Sequence, residues 1–257
     1  MGKLIFRALL ISILILLALF AIYVIVMVIS GIPVDLSKDC LRDSAYYRIL
    51  LDIGVKIAII GAGIHLNIEG LEEVPKDGRF LIVSNHRSKF DPIVTWFVLR
   101  KNKLAFISKP ENFKVPFYGK IIRRCCCLPI DREDPRKALV TLKTASEILK
   151  NDTVSMGVYP EGTRSQTGEL LPFHNGVFKI AQMADVPIVV MTVDGTELIS
   201  KNFPFHTTTV TFKVAETIPA EEVKAMRSKE IGDRVYRDFV RNLAHEEHMD
   251  EQAMCYN

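Results

Sequence analysis

The sequence predicts an α/β domain with a largely parallel central sheet flanked by helices, carried behind an N-terminal transmembrane helix and a second, interfacial amphipathic helix. Three observations predict it. Short β-rich runs alternate with helical patterns along most of the chain, the arrangement that builds parallel sheets. Residues 8–34 carry no formal charge. The 257 residues are 49% hydrophobic with a mean hydropathy of +0.19, yet 25% are charged, so the apolar excess is concentrated in one segment. This composition excludes a disordered chain. Lys+Arg 33 against Asp+Glu 30 gives a net charge of +3, too balanced for a dedicated nucleic-acid binder.

The uncharged segment reads ALLISILILLALFAIYVIVMVISGIPV. As a helix rising 1.5 Å per residue it reaches about 40 Å, beyond the roughly 30 Å hydrocarbon core, so it spans with tilt. Lys3 and Arg7 before it also suit a secretory signal. The apolar run is too long for one, and no A-x-A cleavage site follows, which favours a retained anchor. Gly31 and Pro33 end the helix. Lys38, Arg42 and Arg48 follow it against Lys3 and Arg7 ahead, which leans toward a cytosolic C-terminal side. The five cysteines, three of them adjacent at Cys125, Cys126 and Cys127, agree with a reducing compartment.

Residues 46–64 form a second apolar stretch, with Arg48, Asp52 and Lys56 at i, i+4, i+8 and Leu50, Leu51, Ile53, Ile57 and Ile60 around the rest. Such a helix either packs on a core with a surface ion ladder or lies in the membrane interface, and its place beside the anchor favours the interface. Residues 1–64 are therefore assigned to anchor and interfacial helix, and 65–257 to one domain. Within that domain residues 100–143 hold 12 basic and 4 acidic side chains, whereas the chain from Pro219 onward holds 6 and 9. A basic stretch in a membrane-held domain suits an anionic lipid surface or a phosphate-bearing substrate.

Residues 80–84, 104–108, 127–130, 154–159 and 188–193 read as buried strands, and 207–214 alternates and is placed near an edge. Asp91-Pro92 and Asp134-Pro135 each set an acidic N-cap before a proline at the first helical position. After the second, Ala138, Leu139, Leu142, Ala145, Ile148 and Leu149 recur at helical spacing. In such sheets chemistry gathers at loops beyond the carboxyl ends of the strands.

Two of those loops carry reactive groups. After FLIVS comes NHRSKFD, where His86 leaves a buried strand and Asp91 follows five residues later. The carboxylate can fix one ring nitrogen as donor and leave the other as a base, while also capping the helix. A plain capping aspartate accounts for these residues equally well. After SMGVY comes PEGTRS, where Gly162 permits close approach of a ligand, Thr163 and Ser165 offer hydroxyls and Arg164 can hold phosphate bidentately. Glu161 would orient that arginine or engage a polar substrate. Alone, this loop reads as a turn with a surface ion pair.

Together the loops resemble the glycerolipid acyltransferase family, most closely its 1-acylglycerol-3-phosphate acyltransferase branch. The family pattern N-H-x-x-x-x-D is present at residues 85–91 and the F-P-E-G-T-R-S block as YPEGTRS at 159–165. The run from Lys109 through VPFYG to PIDR, and the strand at Val186-Pro187-Ile188-Val189, also look like the family and follow its order. The resemblance implies transfer of a fatty acyl group from acyl-CoA or acyl-carrier protein to the sn-2 hydroxyl of lysophosphatidate, without cofactor, metal or covalent acyl-enzyme. His86, oriented by Asp91, is then the general base. Glu161, Gly162, Thr163 and Arg164 bind the acceptor's glycerol phosphate, and Lys109 and Arg132 add positive charge. Residues 65–257 become the catalytic domain, membrane-anchored and facing the cytosol, with membrane lipid as partner and no nucleic acid. Rival readings are another acceptor such as glycerol 3-phosphate, a non-catalytic tether, or a thioester hydrolase.

One departure stands out: FHNG at 173–176 replaces the family's F-K-x-G, and His174 reads as a surface residue. Cys125 to Cys127 lack the spacing of a zinc site and read as small apolar residues entering a strand. Trp96 is expected in the core, and His65, His206, His245 and His248 have no motif around them. There is no G-x-S-x-G, Walker or dinucleotide fingerprint.

Overall fold

The computed structural model describes residues 2–36 and 41–254, with side chains through Leu243. Lys38 and the side chains of His245 and His248 lie outside the described residues. Helix α1 (Gly2–Gly31) takes in Lys3 and Arg7 and buries only Met27, Ser30 and Gly31, at its C-terminal end. At about 45 Å it is long and apolar enough to cross a membrane. Helix α2 (Ala45–Gly61) runs antiparallel to it. The Tyr47 hydroxyl donates to the Ser30 carbonyl at 2.9 Å, and the Tyr23 hydroxyl to the Leu50 carbonyl at 2.9 Å. Gly54 leaves room at this crossing, since a Cβ there would lie 2.4 Å from the Tyr23 hydroxyl oxygen and displace it.

The polar row on α2 is not the surface ion ladder of the core-packing alternative. Arg48 is buried, bonded to Asp43 at 2.7 Å and to the Leu104 carbonyl at 2.9 Å. Asp52 accepts from the Trp96 indole at 2.6 Å, and Arg48 lies over that ring at 4.8 Å. Only Lys56 is exposed. These charges are satisfied by the domain, and so the opposite face, Tyr46, Ile49, Ile53, Ile57 and Ile60, is left outward. Leu50, Leu51, Val55 and Ile59 join the core of the following domain across the 64/65 division.

The sheet comprises β1 (Ile64–Glu69), β2 (Leu81–Ser84), β3 (Leu104–Ser108), β4 (Leu128–Pro129), β5 (Ser155–Val158), β6 (Ile188–Asp194) and β7 (Thr208–Ile218) in the order β1-β7-β6-β2-β5-β3-β4. Strands β6, β2, β5, β3 and β4 are parallel, while β7 is antiparallel to β6 and parallel to β1. Strand β1 was not expected: Gly63, at φ +61, ends the apolar stretch early, and Ile64 opens a strand. It takes the edge itself and leaves β7 second from it, near the edge as expected. Alternation in β7 reflects unequal cover of its two faces, which a strand can have anywhere in a sheet.

The helices are α3 (Asp91–Val98), α4 (Pro110–Lys114), α5 (Tyr118–Arg124), α6 (Pro135–Lys150), α7 (Lys179–Ala184), α8 (Ile199–Asn202), α9 (Ala220–Ala225) and α10 (Ser228–Met254). Helix α2 packs with α3 and α5, α6 with α7, and α10 on β6 and β7. Asp134 caps α6 as its Asp-Pro pair predicts, accepting from the Arg136 and Lys137 amides. Asp91 does not cap α3: it is the first helical residue, and its carboxylate turns back into the preceding loop. Trp96 and all three adjacent cysteines are buried, and the Phe106 amide donates to Cys127 Sγ at 3.4 Å.

Candidate active site

Because β6, β2, β5, β3 and β4 are parallel neighbours, the loops leaving their carboxyl ends open on one edge of the sheet. These loops begin at Asn85, Tyr159, Lys109, Ile130 and Gly195. Ring nitrogen Nδ1 of His86 lies 2.7 Å from Asp91 Oδ2. The same oxygen accepts from the amides of Arg87 and Ser88, both at 2.8 Å, and Asp91 Oδ1 accepts from the Thr196 hydroxyl. Asp91 is fully buried and its four donors leave it an acceptor only. It therefore favours the tautomer with hydrogen on Nδ1, leaving Nε2 as the free lone pair. The His86 side chain is 17% exposed. Its ring stacks on Tyr159 at 4.2 Å between centroids and 17° between planes, which limits rotation.

The strand end that carries His86 is pinned from both sides. Asn85 donates to the Val193 carbonyl at 2.9 Å and accepts from the Val193 amide at 2.8 Å, in effect a side chain pairing like a strand residue. Glu161 Oε1 accepts from the His86 amide at 2.7 Å, and Oε2 from the Leu171 amide at 2.9 Å. Ser165 completes the link, its amide donating to the His86 carbonyl at 2.9 Å. The NHRSKFD and PEGTRS loops are thus one hydrogen-bonded unit.

Glu161 does not orient Arg164 as the sequence suggested. At 3% exposure, it gives both oxygens to backbone amides and forms no ion pair with Arg164 among the described residues. Burial holds its carboxyl above the ordinary range, partly offset by those two amides. Gly162 adopts φ +70, and a Cβ there would come within 2.8 Å of His174 Cδ2. His174 is exposed, as expected, but it is not remote: its amide donates to the Pro160 carbonyl at 2.8 Å and its ring rests on the loop. Thr163 and Arg164 are exposed, and the Arg164 guanidinium has no ion pair among the described residues. Lys109 precedes α4 and Arg132 lies between β4 and α6; both are exposed at the same edge, joined to the two loops by no hydrogen bond among the described residues.

Sequence reasoning missed Asn85 as a bridge, Thr196 as a second holder of Asp91, and the Arg87 pair with Asp194. Asn85 lay within the recognised pattern. Thr196 sits 105 positions from Asp91 and had no local signal.

Comparison with known proteins follows the same residues. Positions 65–194 match the family model described as Acyltransferase. The chain is 36% identical over 177 residues to the chloroplastic 1-acyl-sn-glycerol-3-phosphate acyltransferase BAT2 of Brassica napus, covering 68% of this chain and 50% of that one. A probable 1-acyl-sn-glycerol-3-phosphate acyltransferase of Mycoplasma pneumoniae is 30% identical over 196 residues, covering 73% and 70%. Among solved structures, the 1-acyl-sn-glycerophosphate (LPA) acyltransferase PlsC of Thermotoga maritima superposes with a TM-score of 0.66 at 27% identity, over 79% of this chain and 80% of that one. The chain spans about half the length of the first curated relatives it matches.

Proposed function

This chain belongs to the Acyltransferase family, and from that membership we propose that it acylates the sn-2 hydroxyl of 1-acylglycerol 3-phosphate, forming phosphatidate. The observation that carries the proposal is the His86 ring, fixed through Nδ1 by a buried carboxylate with Nε2 left open, on a loop bonded to the one bearing the exposed Arg164. In the proposed reaction Nε2 takes the proton of the acceptor hydroxyl, and the oxygen attacks the thioester carbonyl of acyl-CoA or acyl-carrier protein. This attack forms the new C–O bond and places the carbonyl pair on a tetrahedral oxyanion, which collapses by re-forming C=O and breaking C–S. The imidazolium returns its proton to the departing thiolate, so neither a cofactor nor a covalent acyl-enzyme is required.

Asp91 orients the base and stabilises the imidazolium. Arg164, with Thr163 and the open backbone at Gly162, receives the acceptor phosphate, and Lys109 and Arg132 add positive potential for both anionic substrates. Glu161 acts through His86 as a positioning residue. Helix α1 anchors the chain, α2 presents its outward apolar face to the interface, and residues 65–257 face the cytosol. This arrangement brings a soluble donor to a lipid acceptor that stays in the bilayer.

The test supplies the full chain in vesicles with labelled acyl-CoA and a panel of lysolipids. Phosphatidate from lysophosphatidate is expected, and turnover only with glycerol 3-phosphate, or release of free fatty acid without acceptor, would replace the reading. Arg164→Ala is expected to raise the acceptor KM about 10- to 100-fold, the loss of one charge-assisted pair, with kcat and the donor KM little changed. A rise confined to the donor KM would move Arg164 to the other substrate.

A further inference from the structure

Residues 203–205, Phe-Pro-Phe, make the turn between α8 and β7, with Phe205 87% and Phe203 55% exposed. Burying such a ring is worth about 1.5–3 kcal/mol, so two held in water are a substantial unused driving force. The turn is firmly built. The amides of Phe205 and His206 donate to the Asn202 carbonyl at 3.1 and 2.9 Å, and Asn202 Nδ2 donates to Thr208 Oγ1 at 3.0 Å.

Its position says what covers it. The Thr208 amide donates to the Gly63 carbonyl at 3.0 Å, and the Gly63 amide to the Ile60 carbonyl at 3.1 Å. The turn therefore adjoins the C-terminal end of the outward apolar face of α2, where Ile60 is 78% exposed. A Cβ on Gly63 would lie 3.3 Å from Thr207 Cγ2, and Phe205 lies two residues from Thr207, at most about 7 Å of extended chain. Helix α1 passes α2 with Ser30 beside Tyr46 and Tyr23 beside Leu50 and Gly54, so its free N-terminal half projects past this same end. Two exposed cations, Lys201 and Lys56, flank the patch and suit anionic headgroups.

We propose that the Phe203 to Phe205 turn inserts into the same bilayer that receives α1, as a second membrane contact separate from the two N-terminal helices. The inference rests on α1 being an anchor and not on the acyl-transfer chemistry. The segment that ends in this turn begins beside Thr196, whose hydroxyl holds Asp91. Insertion thus sets the bilayer against the edge of the sheet where His86 opens.

The experiment places the full-length Phe205→Trp variant in phosphatidylcholine and phosphatidylglycerol vesicles with lipids brominated along the acyl chains. The wild type supplies the baseline, because Trp96 is its only tryptophan and is buried. The added fluorescence is expected to shift to the blue and to be quenched by bromolipid, while iodide in the aqueous phase leaves it untouched. Added emission at solvent wavelengths, quenched by iodide alone, overturns the proposal. So does added emission already blue-shifted in detergent and insensitive to bromolipid, which would indicate a second copy of the chain on this patch. If the Phe205→Trp variant misfolds, Phe203→Trp is read in the same way. Flotation of the wild type with vesicles separates the two readings: a chain that floats with an unquenched turn loses only this inference, and one that does not float loses the anchor as well.

Discussion

Replacing His86 with alanine is expected to lower kcat by about 10²–10⁴-fold, the usual contribution of a positioned general base, with both KM values nearly unchanged. The variant removes a group at the sheet edge whose free lone pair is oriented by a buried carboxylate. It leaves Asp91 its other partners: the Arg87 and Ser88 amides and the Thr196 hydroxyl still satisfy the carboxylate. For that reason His86→Ala is a cleaner probe than Asp91→Asn. An amide at position 91 would turn a donor toward one of those groups and unmake the loop as well as the base. The measurement is single-turnover acyl transfer alongside circular dichroism and a thermal melt. Retained turnover in a folded variant would remove the general-base assignment.

How far the sequence could anticipate this site depends on the range of each interaction. His86 and Asp91 lie five residues apart between a β-rich run and an Asp-Pro helix start, so their meeting was legible in the chain itself. The parallel strands were legible because they are buried on both faces and read as continuous apolar runs. Strand β1 was overlooked although IHLNIE alternates apolar and polar residues at strand period, because Ile64 reads as the end of the preceding apolar stretch. The role of Asp91 was half right: its spacing from His86 held, but helix capping was assumed from Pro92, whereas the actual donors come from the loop behind it. The direction in which α2 faces could not be read from periodicity. Amphipathicity locates a polar row, but the buried partners Asp43, Trp96 and the Leu104 carbonyl decide that this row turns inward.

Glu161→Gln tests whether Glu161 acts by positioning the His86 loop or by binding the acceptor. Its two oxygens hold the His86 and Leu171 amides 75 and 10 positions away, tying the base-bearing loop to the segment after PEGTRS. Glutamine keeps the shape but offers one acceptor and one NH2 group, so one buried amide meets a donor and loses its bond, a penalty of about 1–3 kcal/mol. Burial, however, already holds the Glu161 carboxyl above its usual range, so the ionised group is itself unfavourable in the fold at neutral pH, and glutamine relieves that cost. The two effects oppose each other in stability but not in catalysis, where a displaced His86 loses its geometry. The expected result is a drop in kcat of about 10- to 100-fold with a much smaller change in melting temperature. The sign with pH follows from the raised carboxyl. As pH falls toward its folded-state value the wild type takes up a proton more readily folded than unfolded and gains stability, whereas the glutamine variant cannot. The melting-temperature difference, wild type minus variant, should therefore grow from pH 7.5 to pH 5.5. A variant with normal kcat and a raised acceptor KM would return Glu161 to the substrate pocket.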